Sequence, residues 1–187
     1  MSPDEVKIIA DTYEIVKNIS ENKSNGLLPV YSAIGGAIAG AIFTSIPIFI
    51  LERSKQKKLS KSIKASLLAE IAALLEIIKR REYVKKLDEV INTLNDELKG
   101  AQHKFAVEVP NHYSRVYQNN CSSIGVLEEC LARDIVVFHN LIDAVVQDIK
   151  VGGMMSKGFD IEGFIQTKSI LKEAVILGNE IIKSSKV

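Results

Sequence analysis

A chain of 187 residues is sized for one domain with an appendage. Its 24 basic and 23 acidic residues nearly cancel, so the chain as a whole lacks the charge signature of a polyanion binder. The apolar share is 47%, yet aromatics make up only 6%, Trp is absent and prolines number four, a composition suited to long helices rather than sheets.

The first 26 residues form an arm with five Asp or Glu against three Lys. In SPDE, Ser2, Pro3 and Glu5 supply an N-cap, a proline for the first helical position and a capping-box partner. Val6, Ile9, Tyr13 and Val16 recur at helical spacing, so the arm is expected to be a short amphipathic helix on a membrane surface or against other copies. The polar stretch SENKSNG, residues 20–26, reads as its hinge.

Residues 27–51, LLPVYSAIGGAIAGAIFTSIPIFIL, contain no charged residue over 25 positions. A helix needs only about 20 mostly apolar residues to cross a bilayer, so this stretch is expected to be a single transmembrane helix. A cleaved signal peptide would want a short basic start, whereas this arm is acidic and a stop-transfer pattern follows the apolar run. Small residues repeat every fourth position at Ser32, Gly36, Gly40 and Thr44, with Ala33, Ala37, Ala41 and Ser45 alongside. Lipid offers helices no hydrophobic reason to associate, so close approach over small side chains becomes a main source of affinity, and self-association is expected here. Pro47 could kink the inner end.

The segment 52–64 carries Arg53, Lys55, Lys57, Lys58, Lys61 and Lys64 against one acid. By the positive-inside rule the expected topology is single-pass in the cell inner membrane, with the arm outside and residues 65–187 forming a cytoplasmic helical bundle. The basic residues are assigned to topology and contact with anionic headgroups.

Three helical stretches are predicted beyond the membrane. The first, residues 59–99, shows Ile63, Leu67, Ile71, Leu74, Ile78, Leu87, Ile91, Leu94 and Leu98 on one face, with Gly100 as a C-cap. AQHKFAVEVP reads as a loop with an extended piece at FAVEV. The second stretch runs from 111 to 150 with a break near 119–123, and VGGMMSKGFD is expected to be a flexible loop. Asp160 caps a last helix from Ile161 to about Ser184. Cys121 and Cys130 show no metal-ligand or disulfide pattern and are expected to be small buried thiols.

The second stretch contains RDIVVFH, residues 133–139, an R-x5-H arrangement within the R-x4-6-H signature of HEPN domains, which are helical and associated with nucleic acid. The pattern makes Arg133 and His139 the candidate site residues. An ideal helix nevertheless leaves the two about 120° apart. Leu131, Ile135, Phe138, Ile142, Val145 and Ile149 define the buried stripe, with His139 at its edge and Arg133 almost opposite. One straight helix therefore does not converge them on one phosphate. The favoured reading gives His139 a packed, hydrogen-bonded position and pairs Arg133 with an acid such as Glu129 or with a neighbouring subunit. There is no GxSxG, HExxH or P-loop, and His103, His112 and His139 lack metal-ligand spacing, so no cofactor and no metal are expected.

In layout the chain resembles the small transmembrane accessory proteins encoded beside the RNA-guided RNA nuclease of type VI-B CRISPR systems. The resemblance rests on the N-terminal span, the basic flank, the helical domain and RDIVVFH near its middle. It implies an all-α protein with a HEPN-like bundle, an antiviral role, and that nuclease as functional partner, with RNA a weaker candidate ligand. The motif of such proteins maps onto Arg133 and His139. A single span encloses no lumen, but a ring of copies does. The expected function is a homo-oligomeric membrane pore and not an enzyme; a membrane-anchored HEPN-type ribonuclease and an inert scaffold are the alternatives.

Overall fold

Helix propensity and apolar periodicity account for nearly all of the architecture. In the computed structural model the described residues are 7, 10–15, 17–18, 28–96 and 101–185, and the side chains of 28–35 and 37–48 are not among them. The described residues form α-helices, a 3-10 segment and two isolated bridges, with no strand. The chain divides into two units, residues 1–57 and 58–187.

In the first unit residues 10–15 are helical, and Tyr13 and Ile15 stand exposed. The arm's cap SPDE, Val6, Ile9, Val16 and the hinge 20–26 lie outside the described residues. Helix α1, Leu28–Arg80, carries the uncharged stretch and its basic flank. Among the described residues no helix is long and apolar enough to cross a membrane. Most side chains of 27–51, those of Ser32, Gly40, Thr44 and Pro47 included, fall outside that set. Gly36 is exposed, and a Cβ built on it would meet nothing within 4 Å. Arg53, Lys55, Lys57, Lys58 and Lys61 are exposed and Lys64 is half-buried; the Arg53 guanidinium lies 4.5 Å from the centre of the Phe49 ring.

The second unit is a helical bundle. Its core begins at Ile63, two residues before the boundary read from the sequence, and includes Leu67, Ile71 and Leu74 of α1. The single helix expected over 59–99 is broken. Helix α1 ends at Arg80, and α2 spans Tyr83–Asp96. Glu82 at the junction adopts φ 52°, a left-handed conformation uncommon for a residue with a Cβ. No Gly or Pro announces this break. Closing α1 there lets α2 start afresh and bury Leu87 and Leu94 against the last helix, with Asp88 bonded to Lys168 across that contact.

The loop after α2 runs extended, its residues alternating half-buried and exposed from Ala101 to Pro110. Its backbone pairs at one end with the connection before the last helix, where His103 and Phe159 exchange two N–H···O bonds of 3.0 Å, and at the other with the end of the helix that precedes that connection, where Val107 N–H donates to the Ile149 carbonyl at 2.8 Å. The extended piece expected at FAVEV is thus a backbone strap without a sheet. Helix α3, Arg115–Asn120, passes into a 3-10 turn, Cys121–Val126, which accounts for the break foreseen near 119–123. Cys121 and Cys130 are both exposed, not buried as their residue type suggested.

Helix α4, Glu129–Ile149, buries Ile135, Phe138, His139, Ile142, Val145 and Ile149, the stripe read from spacing, with Leu131 half-buried at its start. The segment expected to be a flexible loop instead contains a short helix α5, Met154–Lys157, with Met155 fully buried. Helix α6, Ile161–Ser184, begins where Asp160 accepts the Gly163 N–H at 2.9 Å, the cap that was expected. It packs on α4, and Gly178 lies at a tight point of the contact: a Cβ there would lie 2.7 Å from Cε2 of Phe138 and 3.1 Å from Cδ2 of Leu75. Bare backbone at this point lets α1, α4 and α6 share one core.

Candidate functional site

Residues 65–75 of α1, ASLLAEIAALL, contain a single charged side chain, Glu70. It sits beside the buried stripe of Leu67, Ile71 and Leu74, and its side chain is only 9% exposed. A carboxylate there requires partners, because desolvating an unpaired charge is costly. The partners are backbone groups: Val116 N–H donates to Oε1 at 2.7 Å and Tyr117 N–H to Oε2 at 2.8 Å. These N–H groups belong to the first turn of α3, which has no intrahelical acceptor for them. Ser114 at the N-cap makes no capping bond, and its hydroxyl instead accepts from Gln118 Nε2 at 3.1 Å. Glu70 therefore caps α3 from another helix.

This clamp places the Tyr117 ring flat on His139, with ring centres 3.9 Å apart and planes 9° from parallel. Phe138 meets the imidazole edge-on at 5.2 Å. The His139 side chain is 1% exposed, and neither ring nitrogen has a hydrogen-bond partner. Its Nε2 lies 3.9 Å from Glu70 Oε2, beyond hydrogen-bond length. Burial lowers its pKa to about 4. The nearby carboxylate works in the opposite direction, but its oxygens are already engaged by two backbone N–H groups, so desolvation of the imidazolium prevails. Burial also raises the Tyr117 pKa, with Cys121 adding to the effect; the Cys121 thiol donates to the Tyr117 carbonyl at 3.2 Å.

Arg133 occupies a different environment. Its side chain is 69% exposed and its Nε donates to Asp134 Oδ1 at 3.2 Å. The acid beside it in sequence is the partner, not Glu129. Within the chain the two ends of RDIVVFH thus do not meet: His139 is a neutral ring packed in the core, and Arg133 lies on the surface. His139 also lacks the hydrogen bond expected of it. His112 is exposed, and His103 is half-buried with its ring 6.2 Å from that of Phe164. Among the described residues no group of three His, Cys, Asp or Glu side chains is placed to hold a metal ion.

Glu70 was not singled out by its sequence position, although a lone acid inside an apolar run on a buried face is a usable signal. Its partners, 46 and 47 residues further on, are what periodicity cannot show.

No protein-family model, curated protein or solved structure matches this chain. Its function is therefore argued from its own residues.

Proposed function

We propose that the protein is a membrane-embedded accessory effector of RNA-targeting antiviral defence, working with a type VI-B CRISPR nuclease and self-associating into a ring-shaped pore that depolarises infected cells. The observation that carries this reading is the stretch 27–51: 25 uncharged residues with small side chains in phase at Ser32, Gly36, Gly40 and Thr44, followed at once by six basic residues. The span would cross the inner membrane once, with the bundle in the cytoplasm. The exposed, uncrowded Gly36 suits a close approach by a second copy. In this reading Glu70, Tyr117 and His139 hold the bundle in shape, and exposed Arg133 is available to a neighbouring subunit.

The test is membrane potential, read with a voltage-sensitive dye in cells carrying the protein and the nuclease, before and after target RNA appears. Depolarisation requiring both protein and target is the expected result. Gly36→Leu and Gly40→Leu should abolish it while the amount of membrane-inserted protein stays unchanged. Protection that persists in a polarised membrane would overturn the pore and favour RNA cleavage or a scaffold.

A further inference from the structure

The bundle contains a cavity of about 700 Å³ that none of the preceding chemistry uses. It lies where the end of α1, the start of α2, the extended strap and α4 come together, walled chiefly by Leu74, Leu87, Phe105, Ile142, Val145 and Ile149. The cavity is open to solvent on one side, and small-molecule sites of this kind run from roughly 300 to 1,000 Å³ and combine apolar walls with a few polar groups. Five lining residues carry polar side-chain groups, Arg81, Tyr83, Glu108, Asn111 and Tyr113, and three of them bear on what the site would bind. Tyr113 lines the cavity, and its hydroxyl is buried without a hydrogen-bond partner, a state that costs free energy unless something occupies the site. Arg81 and Glu108 also line it, and both are exposed. Neither forms an ion pair among the described residues; the Arg81 guanidinium reaches only the Tyr83 hydroxyl, at 3.5 Å.

An apolar chamber with one waiting hydroxyl and two opposite, unpaired charges at its rim is complementary to a particular chemistry. We propose that this cavity binds a single-chain zwitterionic amphiphile of the lysophospholipid class. The acyl chain fills the apolar space, the ester region bonds the Tyr113 hydroxyl, and the phosphate and ammonium of the head face Arg81 and Glu108 respectively. The site belongs to residues 74–171 alone and stands whether or not the protein forms a pore.

The probe is lysophosphatidylethanolamine carrying a photoactivatable diazirine on its acyl chain, applied to membranes containing the full chain, with labelled peptides identified by mass spectrometry. Label is expected on peptides covering residues 74–87 and 142–149. Unlabelled lysophosphatidylethanolamine should compete at least tenfold better than palmitate, which has the chain but not the zwitterionic head. Tyr113→Phe should reduce labelling about tenfold, as expected for one lost buried hydrogen bond, while leaving the unfolding midpoint unchanged or higher. Arg81→Gln and Glu108→Gln, both at exposed positions, should each weaken competition severalfold. Label confined to residues 27–51 would mean bulk lipid contact and overturn the site. Labelling indifferent to Tyr113→Phe would overturn it equally, and equal competition by palmitate would overturn the zwitterionic head.

Discussion

Two lengths of the same helix treat the same residue types in opposite ways. Around the basic flank of α1, Phe49, Ile50, Leu51 and Leu59 are 54%, 48%, 56% and 50% exposed, whereas Ile63, Leu67 and Ile71 are 5%, 0% and 0% exposed. The difference lies in what each unit supplies: Ile63, Leu67 and Ile71 belong to one core with buried residues of α4 and α6 in the second unit, whereas Phe49, Ile50 and Leu51 belong to the first unit and none of them joins that core. An apolar contact that a chain cannot satisfy alone marks a surface for something else. On the proposed reading that cover is lipid and neighbouring copies.

The sharpest way to break this comparison is to truncate one residue on each side. Leu67→Ala should cost the bundle about 3 kcal/mol in denaturant unfolding of the full chain, because it opens a cavity in a closed core. Leu59→Ala should change it by less than about 0.5 kcal/mol. Equal effects would mean that the flank is also buried within the chain.

Glu70→Ala should come close behind, at about 2–3 kcal/mol, since it strands the Val116 and Tyr117 N–H groups at the start of α3. Its unfolding midpoint in urea is the measurement, and loss of the Tyr117–His139 stack should accompany the drop.

The pH dependence of stability tests His139. Its folded-state pKa of about 4 lies below the ordinary histidine value of about 6.5, so the unfolded chain binds the proton more readily. The stabilisation is fully present above pH 6.5 and is lost as the pH falls towards 4, by about 3 kcal/mol at the limit. His139→Phe keeps an aromatic ring in the stack, removes two unpartnered nitrogens and should flatten this part of the profile. An unchanged slope between pH 6.5 and 4 would show that His139 titrates normally. Protection retained in His139→Phe would also exclude a role as base or acid.

Smallest of all, Arg133→Ala should shift unfolding by less than about 0.5 kcal/mol, because its pair with Asp134 is exposed. A large loss of protection in that variant with normal stability would place Arg133 in a contact between copies.

Much of the bundle was legible because its signals are local. The stripe of α4 follows from 3.6-residue spacing, and the start of α6 follows from a single acid, Asp160, three residues before the N–H it accepts. The spacing of Arg133 and His139 likewise predicted that one helix would hold them apart. Other features had no local signal. Glu82 is an ordinary helix former, and its left-handed turn follows from the packing of Leu87 and Leu94 against α6. Cys121 and Cys130 are of a type often buried, yet they fall on uncovered faces of short or amphipathic elements.

By itself the sequence determined that the chain is helical, which faces of its helices are apolar, and where one uncharged stretch lies, because composition and periodicity are properties of neighbours along the chain. Only the tertiary structure decided that Glu70 caps a helix 46 residues away, that His139 lies unpartnered beneath Tyr117, and that a chamber remains beside Tyr113. Those depend on which faces meet and how closely they fill the space between them, and packing, not spacing, sets both.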